Sequence, residues 1–345
     1  METTPHNEII SLLKNAGRSA MPTVIEPMKA TLVNTPFNAS GWSYETKWDG
    51  YRALGVVLDG EAKLISRNGL TFDRFYPITT QLARWKARAV IDGEIVVLNQ
   101  KGISDFAALQ NWRGMANGQL VYEVFDILWY EGRNLMDLPL TGRQAVLKAV
   151  LPQAGNHVRL SEVQHDDGVG VFQSAERQGL EGIIAKKADS KYLPGIRSRD
   201  WLKIKVKRRQ EVVIGGFTQK QDSPNLLSAL LVGVYQNGKL RYVGKVGTGF
   251  PLELQKTLMA RFRPVIVANC PFDHTVSEPS DFLPGRLGGR PIWLSPELVG
   301  EVDFAEITAE GKLRQASFKG LRSDKAAREV ILEIPAETPE IIHAH

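Results

Sequence analysis

Cysteine is almost absent from this chain: Cys270 is the single one in 345 residues. One thiol excludes an intramolecular disulfide and fits a reducing compartment, so a cytoplasmic setting is expected. Histidine is scarce as well. Six are scattered along the chain, His343 and His345 in the tail, and no Cys/His cluster has zinc spacing. No apolar run reaches the length of a membrane span, and the N-terminus lacks the apolar stretch of a signal peptide. No membrane partner is therefore expected. Internal repeats and low-complexity tracts are missing too, which excludes solenoid and biased-composition architectures.

What is present is ordinary globular material. Hydrophobic residues make up 43% and charged residues 23%, enough for about two domains with a core each. The net charge of +5 is a modest excess that suits a nucleic-acid partner. Residues 1–20 read as a polar, weakly helical extension, ended by Met21-Pro22 and Glu26-Pro27. Strand patterns follow at Ser43–Lys47, Tyr51–Leu58, Ala62–Ser66, Ala89–Leu98 and Leu120–Tyr130. Helical spacing marks Ile78–Trp85, Ser104–Arg113, Thr141–Leu151 and Val169–Gln178, with Ser104 and Thr141 as N-caps. Strands interrupted irregularly by helices predict an α+β domain of antiparallel sheets over 21–206. A basic run, Lys203 to Arg209, ends it. Residues 207–345 carry short strands, turn pairs such as Asn237-Gly238, one helix at Leu252–Phe262, a loop at Pro284–Pro291 and a C-terminal helix at Leu321–Leu332. That pattern suits a small OB-fold barrel.

The segment most able to do chemistry is Glu45-Thr46-Lys47-Trp48-Asp49-Gly50-Tyr51-Arg52. A lysine amine is a nucleophile once deprotonated, and burial with neighbouring cations pushes it that way. Asp49 can hold the amine, Gly50 lets the backbone approach a ligand, and Arg52 can grip a phosphate. Further along, Ser66-Arg67-Asn68-Gly69 is a turn able to present Arg67. Ile91-Asp92-Gly93-Glu94 places two acids in an apolar strand, where Asp92-Gly93 also reads as a bulge. Phe125 lies in an apolar strand and reads as core or as a ring at a pocket edge. Glu181 leads a strand ending in Lys186-Lys187. Alternation puts Lys203 and Lys205 on one face of a strand, a clamp for developing phosphate charge.

Taken in order, these motifs resemble those of the covalent nucleotidyltransferase superfamily, and among them the ATP-dependent DNA ligases. The carriers are the Lys-x-Asp-Gly-x-Arg motif at 47–52, Ser-Arg-Asn-Gly at 66–69, Asp-Gly-Glu at 92–94, the aromatic strand at 122–128, Glu-Gly-Ile-Ile at 181–184, Leu-Lys-Ile-Lys at 202–205 and Arg-Ser-Asp-Lys at 322–325. Segments 243–250 and 298–302 look like the ligase component of bacterial end-joining proteins. The resemblance covers about residues 22–332. It implies a lysyl-AMP on Lys47 made from ATP, transfer of AMP to a 5′-phosphate at a nick in duplex DNA, and sealing by the 3′-hydroxyl. It further implies that Glu45 reads adenine, Phe125 stacks on it, Glu94 holds the ribose and Arg52 contacts AMP and then the nick. Arg67 would hold the 5′-phosphate, Glu181 support Mg²⁺ or Mn²⁺, and Lys203 and Lys205 bind the α-phosphate. Arg322, Asp324 and Lys325 would orient pyrophosphate. The chain would act as a monomer in the bacterial cytosol, with end-joining or other repair proteins as partners, as a stand-alone ligase or one module of a larger protein. An RNA ligase, a capping guanylyltransferase and an inactive nucleic-acid-binding relative are the alternatives; Glu45 favours adenine over guanine, whose equivalent position bears an oxygen.

Overall fold

Alternating apolar residues give the first 206 residues two mainly antiparallel sheets. The structure is a computed structural model, and it describes residues 5–114, 118–152, 155–220, 223–282 and 289–342. The chain divides into two units, 1–206 with 335–345, and 207–334.

In the first unit, one sheet of seven strands runs Gly17–Arg18, Arg133–Asn134, Gln119–Tyr130, Ala89–Leu98, Tyr51–Leu58, Glu61–Ser66, with Val158–Leu160 joined in parallel to Gln119–Tyr130. The Asp59-Gly60 pair closes a two-residue hairpin with both residues at positive φ (49° and 87°), the twist such a hairpin needs. One face of this sheet packs its apolar residues, among them Ala53, Ile91, Ile95 and Tyr122, against the helices Tyr76–Ala83, Phe106–Gln110 and Leu140–Val150. The second sheet, of five strands, runs Val163–His165, Trp42–Thr46, Gly182–Lys187, Arg197–Lys205, Lys29–Val33, the last pair parallel. Its outer face, with Tyr44, Ile183, Ala185, Leu202 and Ile204, packs under the helix Gly168–Gln178. That helix starts on Asp167, whose carboxylate accepts from Gly170 N at 2.9 Å, and stops at Gly179 in the left-handed region. A third apolar cluster, with Met28, Leu54, Val90, Leu128, Tyr192 and Trp201, draws residues from both sheets.

The second unit is built on the long strands Arg209–Lys220, Ser223–Gln236 and Lys239–Val246, with Val299–Asp303 beside the first of them and Ser317–Leu321 outside that. A parallel bridge between Thr248 and Ser317 brings this five-strand path nearly back on itself, short of a closed barrel. Phe262 and Leu258 of the helix Leu252–Phe262 plug the core.

Several local expectations are corrected. Asp105, not Ser104, caps its helix, accepting from Ala108 N at 2.9 Å. Thr141 lies inside its helix, which Pro139 precedes as cap. No helix forms at Leu321–Leu332: Leu321 is the end of a strand paired with Val299–Asp303, and only Ala327–Glu329 turns, as a 3₁₀ segment. Strand pairing takes Leu321, and Arg322 N and Val330 O bond to Val299 and Tyr235, so tertiary hydrogen bonds replace those of the expected helix. The last residues return to the first unit, where Thr338 hydroxyl exchanges hydrogen bonds with Asn34 and Thr35 and Ala336 bridges Val33. The polar extension at 1–20 holds a helix, Pro5–Asn15, and a two-residue strand, with 1–4 outside the described residues. Residues 284–288 of the expected loop and the tail histidine pair also lie outside them. Among the described residues no helix is long and apolar enough to cross a membrane.

Candidate active site

Period-two alternation places nearly every candidate on the faces of the two sheets turned away from their helices. With Tyr44, Ile183, Ala185, Leu202 and Ile204 outward, Glu45, Lys186, Trp201, Lys203 and Lys205 point the other way. In the seven-stranded sheet, Ala53, Ile91, Ile95 and Tyr122 face helices, and Arg52, Asp92, Glu94 and Glu123 take the opposite face. Side chains from the two faces meet: the Lys186 ammonium sits 4.2 Å from the Phe125 ring centre, and Arg52 lies 5.7 Å from that of Trp201.

Lys47 follows directly on the Trp42–Thr46 strand, and its backbone N–H donates to Gly182 O at 3.0 Å. Its amine is 2.5 Å from Glu181 Oε1, with the lysine side chain 19% and the glutamate 5% exposed. Burial works to remove the proton. The carboxylates of Glu181, Glu94 and Asp49 more than offset it, so the amine's pKa lies above its ordinary value. The expected push toward the free amine is thus reversed, because anions rather than cations dominate its surroundings. Gly50 also differs from expectation. Its close neighbour is the adjoining strand, since a Cβ there would stand 2.1 Å from Ile95 O.

At the other end of this face, Glu45 is 3% exposed and both its oxygens are engaged. Lys186 Nζ donates to Oε2 at 2.7 Å and Gln144 Nε2 to Oε1 at 3.1 Å. Burial pushes Glu45 upward in pKa, with Lys186 opposing. Phe125 is the extra residue of a bulge: Gly93 pairs with Val124 and Asp92 with Asp126, leaving Phe125 unopposed. That bulge aims its ring, half-buried, toward the Trp201 indole, 6.2 Å away edge-on, with the Lys186 ammonium between the two rings.

Arg52 is more committed than its motif suggests. Nε and one terminal nitrogen grip Asp92 at 3.0 and 2.6 Å, and the other donates to Met28 O at 2.6 Å. Asp92 is fully buried and also accepts from Tyr192 OH at 2.7 Å. A second buried fork, Arg143 on Asp126 at 2.8 and 2.9 Å, holds the carbonyl of Ser190. These pairs fix the loop between Gly182–Lys187 and Arg197–Lys205, and with it the strand bearing the lysine pair. Lys203 lies opposite Ile184, and Lys205 opposite Gly182, next to Glu181. Arg67 sits on the turn after Glu61–Ser66, a turn closed by Ser66 Oγ on Leu70 N at 3.1 Å. Sequence reasoning missed Lys186, Gln144, Tyr192 and Trp201. Alternation from Ile184 and Lys203 could have placed Lys186 and Trp201 on this face; Gln144 and Tyr192 carry no local signal.

In the second unit, Arg322 forks onto Asp324 at 2.9 and 3.0 Å and lies 3.7 Å from Glu301. Lys325 is ion-paired with Glu211. Arg209 is 8% exposed and paired with Asp303 at 2.9 Å.

Among the described residues, no three His, Cys, Asp or Glu side chains converge to form a metal cage. A single buried carboxylate, Glu181, with phosphate and water oxygens completing the shell, is a donor set that suits Mg²⁺.

Residues 26–205 match the model of the ATP dependent DNA ligase domain, and residues 223–325 that of the ATP dependent DNA ligase C terminal region. The chain belongs to the ATP-dependent DNA ligases. It is 38% identical over 335 residues to the multifunctional non-homologous end joining protein LigD of Pseudomonas aeruginosa, covering 95% of this chain and 39% of that protein. The protein of the same name from Mycolicibacterium smegmatis is 34% identical, over 92% and 41%. The chain thus spans about 40% of the length of these relatives. A solved mycobacterial DNA ligase D complexed with ATP and MES superimposes with a TM-score of 0.64 at 36% identity, over 90% of this chain and 98% of that one.

Proposed function

We propose that this chain seals 5′-phosphate/3′-hydroxyl nicks in duplex DNA by way of a lysyl-AMP on Lys47 and a DNA-adenylate. One observation carries the reading: a partly buried lysine held at 2.5 Å by Glu181, beside the sheet face that bears Glu45, Lys203 and Lys205. That an ATP-bound ligase D shares the fold supports ATP as the nucleotide.

The ammonium gives up to water the proton that Glu181 retains on it, the lone pair attacks the α-phosphorus of ATP, and a second N–H proton leaves to water as the phosphoramidate forms. The bond to the β-phosphate oxygen breaks and pyrophosphate leaves. Lys203 and Lys205 neutralise the charge gathering on the α-phosphate oxygens, where cations count most. Glu45 receives the adenine amino group, Phe125 stacks on the base and Glu94 holds the ribose. Arg52 keeps one N–H beyond those given to Asp92, Met28 and Tyr192, and it serves the ribose and later the nick. Glu181 would hold a Mg²⁺ or Mn²⁺ ion, which would supply positive charge at the phosphates. Arg67 takes the 5′-phosphate, and Arg322, Asp324 and Lys325 orient pyrophosphate in the first step. The chain acts as a monomer in the cytoplasm, with end-joining or other repair proteins as partners.

The test uses the full chain with labelled ATP, then an unlabelled nicked duplex. An acid-labile adduct on the protein that is discharged as the nick closes is the expected result. Sealing without any adduct, or an adduct that DNA never discharges, would refute the reading. Lys325→Ala should lose adenylation by ATP while protein adenylated beforehand still seals in a single turnover.

A further inference from the structure

Lys186 does no chemistry in the scheme above, yet it is among the most fully buried charged side chains of the first unit, at 2% exposure. Its ammonium touches three groups and all belong to the base end of the cleft. It donates to Glu45 Oε2 at 2.7 Å and lies 4.2 and 4.4 Å from the ring centres of Phe125 and Trp201. A buried ammonium is costly unless paired, and here one carboxylate and two π faces surround it. The other oxygen of Glu45 accepts from Gln144, so a proton on Glu45 would have to displace one of two donors. The remaining charge acting on Glu45 is Asp126, which is itself tied to Arg143 and favours the protonated carboxyl.

We infer that Lys186 is a positioning and specificity residue: by holding Glu45 as a carboxylate, it makes the pocket an acceptor for an exocyclic amino group and thereby selects adenine over guanine. An ionised carboxylate offers only lone pairs, which match the adenine amino group and repel the guanine oxygen at the same ring position. A protonated carboxyl offers a hydrogen and matches the guanine oxygen instead. Without Lys186, burial and Asp126 both favour that protonated form. Recognition of the base would then invert with no change of shape.

This inference rests on Glu45 facing the base, as proposed above. The experiment measures protein labelling by ATP and by GTP across a pH series for the wild type, Lys186→Met and the double variant Glu45→Gln/Lys186→Met. The double variant leaves no unpaired buried charge, so it remains informative if the single variant folds poorly. For Lys186→Met, the ATP-to-GTP labelling ratio should fall by about tenfold or more near neutrality and recover as pH rises and Glu45 ionises. The ratio cancels the titration of Lys47, which serves both nucleotides. In the double variant the amide both donates and accepts, so the ratio should be low and flat with pH. If the single variant folds poorly, a double variant as selective as the wild type overturns the inference. An unchanged, pH-independent ratio in a folded Lys186→Met overturns it too, while wild-type preference for ATP leaves the ligase reading standing. A wild type that accepts no label from ATP defeats the ligase reading instead.

Discussion

Lys47, the proposed nucleophile, rests as an ammonium, which cannot attack, and this has a measurable consequence. Lys47 is largely withdrawn from solvent, which favours the free amine, but Glu181 at 2.5 Å reverses the balance. Because its pKa is raised, the free-amine fraction is small at neutral pH and grows as pH climbs. The adenylation rate of the wild type should therefore rise with pH through neutrality. Glu181→Gln removes the strongest stabiliser of the ammonium, so its pH–rate curve should shift toward lower pH even though its maximum falls. A curve that keeps its position would mean that Glu181 does not govern that proton. Lys47→Ala should give no adduct at all, and neither should Lys47→Arg, since a guanidinium stays protonated in proteins. Acid-labile label on either variant would place the nucleophile elsewhere.

At the scale of elements, the site depends on strands that approach more closely than side chains allow. A methyl at Gly50 would meet Ile95 O, and one at Gly182 would stand 2.1 Å from Ile204 O. Gly182 faces Lys205 across the pair, so its substitution would move the lysine clamp itself. Gly50→Ala should cost about 1–3 kcal/mol of stability, read from a denaturant midpoint, and reduce adenylation beyond what the loss of folded protein explains. The buried forks carry larger stakes. Asp126→Ala strands the fully buried Arg143, a change worth about 3–5 kcal/mol. A midpoint unchanged in Asp126→Ala would show that Arg143 finds water or another partner.

For the whole molecule, affinity for a nicked duplex should fall steeply with salt, as expected wherever cations replace counterions on phosphate. Not every residue of the basic run at 207–209 contributes. Arg209 is spent on Asp303 inside the second unit, whereas Arg208 is exposed and donates to the Ala305 carbonyl. Replacing Lys207 and Arg208 by glutamine should flatten the plot of log K against log salt by up to about 0.9 for each phosphate left without its cation. Arg209→Gln should lower the melting temperature and leave the slope in place. An equal change of slope in both variants would return Arg209 to the DNA track.

The sequence by itself settled the family and most of the elements, because ordered motifs and period-two alternation are local properties. Tyr51–Leu58, Ala89–Leu98 and Leu252–Phe262 form at the expected bounds, and the faces bearing Glu45, Lys203 and Lys205 follow from alternation alone. Pairing between distant residues was not legible. Asp92 and Arg52 are 40 residues apart, Lys186 and Glu45 are 141 apart, and nothing near either end announces the partner. The C-terminal segment failed as a helix for the same reason, since the backbone groups of Leu321, Arg322, Val330 and Ile331 bond to Gly300, Val299, Tyr235 and Gln210, far off in sequence, rather than to one another. The charge state of Lys47 was decided last of all. Local sequence offers it Asp49 on one side and Arg52 on the other, and only the folded sheets bring Glu181 to its amine, where a few ångströms of low-dielectric separation outweigh burial.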